Sequence, residues 1–355
     1  MGNDGVQPAG IIATGSYLPD RTVTNTEAGA PAGVTAEWIE RKTGIRERRR
    51  AAPGQATSNL AAIAADRALA AAGLSPTEID CVVVATSTPD HPQPATASIV
   101  QHLIGATSAA AVDVNAVCSG FVYALATAQG LLHSAARPDG HALVIGADIY
   151  SRILDPSDRR TAVLFGDGAG AVVLGPVPEG HGFGGTRLRG HGDAHHLISV
   201  PAGGSRIPAS ERTVREGAHY FRMDGRGVRG FVNDELPAAV SAVLRDSAIS
   251  AADVDHFVPH QANGVMLRDL WSSLDLPRAT LHLTVDRFAN TGSASIPVTL
   301  DAAHRSGVLA PGHTVLLAGF GGGMNTALTL CRWAPTANRP TAATPGARQF
   351  SGVLS

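Results

Sequence analysis

The sequence predicts an α/β protein built from two copies of one plan. Three observations carry this. Short Val/Ile/Leu runs of strand length alternate with longer Ala-rich stretches of helical length, the pattern of a largely parallel sheet packed against helices. The landmarks of the first half recur in order in the second. Each half also carries a polar residue of chemical interest just beyond an apolar run.

The elements follow in order. Residues 10–19 read as a strand entering a turn. Thr35 begins a helix with Glu37 in its acidic first turn. This helix leads into Gly44-Ile45-Arg46-Glu47-Arg48-Arg49-Arg50, a basic run expected on a solvated face. Residues 57–72 form an Ala-rich helix ended by Gly73. Leu74 to Asp80 turn into the buried strand Cys81-Val82-Val83-Val84-Ala85-Thr86. Residues 111–125 then predict a buried strand, a corner at Cys118 and a helix. A thiol at that corner meets the positive end of the helix, which favours the thiolate. Small neighbours, Ser119 and Gly120, leave room for a substrate.

The second half repeats the plan. Ala248 to Asp255 form a helix end and turn that feed the strand His256-Phe257-Val258-Pro259. Val285-Asp286 is expected to be a strand matching Val112-Asp113, with Asn290 following as Cys118 follows Asp113. Gly140-His141 and Gly312-His313 each precede an apolar strand. Phe165 to Gly170 resemble a phosphate loop, but a strand rather than a helix follows, so they are read as a structural turn. Residues 178–227 predict loops and short strands. The division is 1–177, 178–334 and a disordered tail over 335–355.

Composition narrows the functional classes. The chain has 355 residues, 44% hydrophobic and 16% charged, with a formal net charge of -2. That fits a soluble globular protein with an ample core and gives no reason to expect a nucleic-acid partner. Cys81, Cys118 and Cys331 lack metal-ligand or disulfide spacing, so no metal site is expected and a reducing cytoplasm is the expected compartment. No apolar run is long enough to span a membrane, and the first residues lack the signature of a signal peptide.

Four polar or glycine-rich sites are expected at strand ends: Cys118, His260, Asn290 and the run Gly319-Phe320-Gly321-Gly322-Gly323. In a duplicated sheet pair such ends converge. Taken singly, each has a plain structural reading: a packed cysteine, a core histidine, a turn asparagine and a turn.

From about residue 9 to residue 333 the chain resembles a β-ketoacyl-ACP synthase III of the thiolase superfamily. The resemblance rests on Glu37-Trp38-Ile39, Thr43-Gly44-Ile45-Arg46-Glu47-Arg48, Asp155-Pro156-Ser157-Asp158-Arg159, Phe165-Gly166-Asp167-Gly168-Ala169-Gly170, His260-Gln261-Ala262-Asn263 and Phe320-Gly321-Gly322-Gly323. It implies the five-layer αβαβα fold, a homodimer and a Cys-His-Asn triad at Cys118, His260 and Asn290. It implies acyl-CoA as a substrate rather than a cofactor, with transfer of the acyl group to Cys118. Decarboxylative condensation with a malonyl group on acyl carrier protein would follow, priming fatty-acid or type II polyketide synthesis. The N–H groups of Cys118 and Gly322 would form the oxyanion hole. Trp38 and Arg159 would sandwich the adenine, Lys42 would meet phosphate, and Asn263 would meet pantetheine. Gln93 would cap the acyl pocket of a partner subunit.

Four positions depart from the family pattern. Val265 replaces an arginine that helps dock the carrier protein, Arg160 replaces a glycine, Gln93 replaces an apolar residue, and Met324-Asn325-Thr326 replaces an aromatic-containing tail. They suit a specialised enzyme, such as one loading an unusual starter unit. An acyltransferase that moves the acyl group without condensation is the alternative. Cys118 argues against a non-catalytic partner subunit, and the position of Cys331 argues against a thiolase.

Overall fold

The computed structural model describes residues 8–134 and 139–335. The first seven residues and the expected tail beyond Pro335 lie outside the described residues. The strands are β1 (Ala9–Tyr17), β2 (Arg21–Thr24), β3 (Glu47–Arg50), β4 (Ile79–Ala85), β5 (Ala110–Val114), β6 (His141–Ile149) and β7 (Asp167–Pro176), then β8 (Gly182–Gly190), β9 (Ile198–Ser199), β10 (Arg222–Met223), β11 (His256–Pro259), β12 (Thr280–Leu281), β13 (Thr314–Gly321) and β14 (Asn325–Arg332). The helices are α1 (Asn25–Gly29), α2 (Ala36–Thr43), α3 (Thr57–Ala72), α4 (Thr96–Ile104), α5 (Gly120–Ser134), α6 (Glu211–Arg215), α7 (Gly225–Asp246), α8 (Gly264–Trp271), α9 (Val285–Phe288) and α10 (Ser295–Arg305).

The duplication appears strand for strand. One sheet has the order β5-β4-β6-β7-β1 and the other β12-β11-β13-β14-β8. In each, the first three strands run parallel and the last two join antiparallel. The small pairs β2–β3 and β9–β10 stand apart from both sheets.

Side-chain alternation explains the layering. In β4, Val82 and Val84 pack against α3 and α4, while Cys81, Val83 and Ala85 face α5. In β13, Val315 and Leu317 face the same central layer, while Leu316, Ala318 and Phe320 pack toward α7 and α8. The layers are therefore α3/α4, sheet, α5/α10, sheet and α7/α8, the thiolase-like five-layer arrangement. Glycines let the central layer close. A Cβ on Gly170 would stand 2.7 Å from the backbone N of Val298 in α10.

Several expectations change. Val285-Asp286 begins the short helix α9 rather than a strand. Gln261 Oε1 accepts from the N–H groups of Thr284 and Val285, which a strand would have given to its neighbour. The matching strand is the two-residue β12. The strand before Cys118 is not buried: β5 is a sheet edge, and Val112 is 39% exposed. The glycines of the 165–170 motif lie largely within β7 rather than in a turn. Residues 182–190 form a full edge strand. The basic run is not wholly solvated. Arg48 is fully buried and donates to Asn25 Oδ1 and the Val163 carbonyl, both at 2.9 Å.

Candidate active site

The turn Val117–Ser119 carries Cys118 beyond the end of β5 and directly before α5. It packs onto the end of β13, where a side chain is impossible. A Cβ on Gly321 would lie 2.8 Å from Cys118 Cβ, and one on Gly319 would lie 2.8 Å from Ser119 Cα. The glycine run is thus the floor under the nucleophile. His260 follows β11, and its ring meets Phe320 edge-on at 5.2 Å, between those two glycines. Asn290 precedes the turn Gly292–Ala294, which packs on the Cys118 turn. The structure therefore brings Cys118, His260 and Asn290 to one place, at the carboxyl ends of strands from both halves.

The backbone before two of them is unusual. Val117 has φ +48° and Ala289 has φ +58°. Neither residue type favours that region, and such strain persists only where packing enforces it. Each directly precedes a residue of the site, and nothing in the sequence marks either.

Ser295 Oγ accepts from Gln261 N–H at 3.2 Å and lies 2.7 Å from His260 Nδ1. Burial holds the imidazole neutral, with its pKa lowered to about 3. Asn290 Oδ1 accepts from Gly292 N–H at 2.9 Å, which leaves its NH₂ as the donor. The site thus offers two neutral donors. For Cys118, burial and the nearby Asp148 carboxylate push the thiol pKa upward. This direction opposes the expected favouring of the thiolate at the corner. The helix N-terminus and the Tyr150 hydroxyl act in the opposite direction.

The sequence reading missed Asp148 and Tyr150, at the end of β6. Asp148 is buried and accepts from Thr86, Ser87, Thr88 and Ser293. Tyr150 stacks on Phe165 at 4.4 Å and meets Phe221 edge-on at 5.6 Å. An aspartate inside an apolar strand was the available signal.

A cleft of about 970 Å³ is lined by Trp38, Lys42, Asp158, Arg160, Arg222, Met223 and Arg226, among others. Met223 also packs on the aromatic cluster of Tyr150, Phe165 and Phe221, so cleft and site adjoin. Trp38 and Lys42 meet here as expected, but Arg160 rather than Arg159 lines the cleft; Arg159 is exposed outside it. The Asn263 side chain is already engaged. Its Oδ1 caps α8 through the N–H groups of Val265 and Met266, and its Nδ2 donates to the Lys42 carbonyl. Gln93 is exposed on the loop before α4, with nothing here to line.

Family models for 3-oxoacyl-[acyl-carrier-protein (ACP)] synthase III match residues 112–192, and for its C-terminal part residues 244–333. Acetoacetyl CoA synthase NphT7 of Streptomyces sp. (strain CL190) is 57% identical over 325 residues, 91% of this chain and 98% of that one. The chain belongs to the ketosynthase III family. The β-ketoacyl-[acyl-carrier-protein] synthase III of Caldanaerobacter subterraneus subsp. tengcongensis is 42% identical over 92% of this chain and 98% of that one. The crystal structure of the priming β-ketosynthase of the R1128 polyketide pathway superposes with a TM-score of 0.86 at 31% identity, covering 95% and 99% of the two chains. This ketosynthase III is therefore a condensing acyltransferase that joins acyl units to malonyl units. Among its described residues no helix is long and apolar enough to cross a membrane.

Proposed function

We propose that this ketosynthase III condenses acetyl-CoA with malonyl-CoA, giving acetoacetyl-CoA, carbon dioxide and free CoA. The observation that carries this reading is the wall around the nucleophile. Tyr150, Phe165 and Phe221 are buried in mutual ring contact, and Tyr150 presses on Gly292 of the turn that packs against the Cys118 turn. That leaves space for a short acyl group. The similarity to an acetoacetyl CoA synthase over nearly its whole length supports the same product. Val265 at the carrier-docking position favours a CoA-borne acceptor over a carrier-borne one.

The geometry supports three steps. Cys118 Sγ attacks the thioester carbonyl of acetyl-CoA. The bond to the CoA sulfur breaks, and CoA leaves with the proton that the thiol gave up. The N–H groups of Cys118 and Gly322 receive the transient oxyanion. The malonyl thioester then loses carbon dioxide, and its electron pair moves onto the thioester oxygen. His260 Nε2–H and Asn290 Nδ2–H donate to that oxygen. Finally the enolate carbon attacks the acyl-Cys118 carbonyl, the carbon–sulfur bond breaks to return Cys118 as the thiolate, and that sulfur takes up one proton from solvent. Two neutral donors suit an enolate, because neither has to give up a proton.

For CoA recognition, Trp38 offers a ring for the adenine, and Lys42, Arg160, Arg222 and Arg226 offer positive charge for phosphates. Arg159 lies outside that cleft, and the Asn263 side chain is held by its own hydrogen bonds. A homodimer fits the open β5 edge, since an exposed strand edge is a ready pairing surface. A second copy pairing there would bring its Gln93 loop toward this acyl site. Val112→Asp is expected to shift the molecule to monomer in light scattering; an unchanged mass would remove this edge from the assembly.

Intact-protein mass spectrometry tests the reaction. Acetyl-CoA should leave an acetyl adduct on Cys118, absent in Cys118→Ser. Malonyl-CoA should then discharge it with one carbon dioxide per turnover. Discharge to an acceptor without carbon dioxide would replace condensation with simple acyl transfer.

A further inference from the structure

β13 ends at Gly321 and β14 begins at Asn325, and these two residues pair across the hairpin. The loop between them is Gly322-Gly323-Met324. A glycine has two soft dihedrals and no Cβ to restrict them. The direction of the Gly322 N–H therefore has to be set from outside the residue.

The first hold on Gly322 is polar. Asn325 Nδ2 donates to the Gly322 carbonyl at 2.8 Å, three residues back along the chain. Only the NH₂ end of that amide can face a carbonyl, which fixes its orientation. The side chain reaches back across Gly323, where a Cβ would collide with it. The second hold is apolar. A Cβ on Gly322 would lie 3.0 Å from Val117 Cγ2 and 3.3 Å from Ile198 Cγ2. Ile198, in β9, also packs on the cluster of Tyr150, Phe165 and Phe221. Val117 is the residue with φ +48° directly before Cys118, and the peptide bond that joins the two carries the Cys118 N–H. Contact between Gly322 and Val117 therefore sets the distance between the two N–H groups proposed to receive the oxyanion.

We infer that Asn325 is a positioning residue for acyl transfer: its amide pins the Gly322 carbonyl while Val117 and Ile198 press on Gly322, and the Gly322 N–H is thereby held in register with that of Cys118. This rests on the proposed role of those two N–H groups. Asn325 does not line the CoA cleft, so its effect falls on the transition state rather than on binding. A role confined to closing the hairpin has a different signature. Gly321 packs directly on Cys118, so a loosened hairpin would displace the whole nucleophile turn, and every reaction of the sulfur would suffer alike.

Two reactions of the same sulfur separate these roles. Acetyl transfer from acetyl-CoA passes through a tetrahedral oxyanion. Alkylation by iodoacetamide forms the carbon–sulfur bond as iodide leaves, and no oxyanion arises. Both consume the thiolate, so their ratio at one pH does not depend on the thiol pKa. Intact mass follows each reaction on the full chain, with Cys118→Ser giving the background from Cys81 and Cys331. In Asn325→Ala, acetylation at saturating acetyl-CoA should slow roughly tenfold, part of the about 100-fold that loss of a whole oxyanion donor costs. Alkylation, and the acetyl-CoA concentration that gives half the maximal rate, should stay at wild-type values. An unchanged acetylation rate, or an equal fall in both reactions, would overturn the inference. If Asn325→Ala does not fold, Ile198→Ala loosens the other hold on Gly322, and an unchanged ratio of the two rates overturns it. Absence of an acetyl adduct on wild-type Cys118 would instead defeat the proposed reaction, and this inference with it.

Discussion

Asp148 Oδ2 accepts both the backbone N–H and the hydroxyl of Ser293, each at 2.7 Å, across the seam between the two halves. Ser293 lies three residues after Asn290, and Asp148 stands beside Cys118. One carboxylate therefore fixes the spacing between nucleophile and donor. Burial raises its pKa, and the surrounding donors pull the other way. Asp148→Asn would turn an NH₂ toward N–H and hydroxyl donors. The expected cost is about 2–4 kcal/mol in urea unfolding, the scale for breaking a buried network. Condensation should fall further than acetylation of Cys118, because Asn290 shifts and the nucleophile remains.

Asn290 contributes an NH₂ because Gly292 N–H occupies its oxygen. Asn290→Asp would place a carboxylate where the enolate charge develops. Carbon dioxide release is expected to drop by at least about 100-fold, the scale of losing one oxyanion donor. The acetyl adduct on Cys118 should still form, since that step does not use this donor. Loss of both would place Asn290 in the first step as well.

The duplicated plan was legible because hydrophobic periodicity is local. The helix over Thr57–Ala72 and its stop at Gly73 follow from composition and a left-handed cap at φ +68°. Placement of Cys118 and His260 followed from strand ends, whereas the strand expected before Asn290 is the helix α9. What was hidden depends on distant partners. Arg48 read as a solvated charge because its acceptors, Asn25 Oδ1 and the Val163 carbonyl, come from elsewhere in the chain. Val285-Asp286 read as a strand because nothing local announces that the Gln261 side chain takes its N–H groups. Val117 and Ala289 adopt positive φ by enforcement from their surroundings, and neither residue type signals it.

A chain of imidazoles at the far end of β11 gives the fold an acid limit. Ala310 N–H donates to His313 Nδ1, so that nitrogen accepts. His256 Nε2, at 2.9 Å, must then donate to it, and His256 Nδ1 accepts from His282 Nε2 at 3.0 Å. An added proton on His256 would set two N–H groups against each other. Burial lowers the pKa of His256 and brings that of His282 from 6.5 to about 4. The unfolded chain therefore binds more protons below 6.5, and stability is lost as pH falls from there toward about 4. His282→Gln keeps an N–H donor but cannot titrate. Its Tm should fall less steeply than that of wild type over this window; parallel slopes would assign the acid sensitivity elsewhere.

Two glycines separate the needs of chemistry from those of the backbone. A Cβ on Gly321 would stand 2.8 Å from Cys118 Cβ and 2.9 Å from its backbone N. Neither atom belongs to a flexible side-chain end, so Gly321→Ala must displace the Cys118 turn or the end of β13. The N–H of Cys118 is one of two donors proposed for the oxyanion, and a shift of about 1 Å at such a group costs on the order of 100-fold. Acetylation of Cys118 should slow by that factor. A Cβ on Gly130, inside α5, would meet nothing within 4 Å beyond its own helix. Gly130→Ala should instead raise stability by about 0.5–1 kcal/mol, because it removes the flexibility of a helical glycine. Its acetylation rate should match wild type. Equal rates in both variants would mean that the glycine floor is not what holds the nucleophile in line.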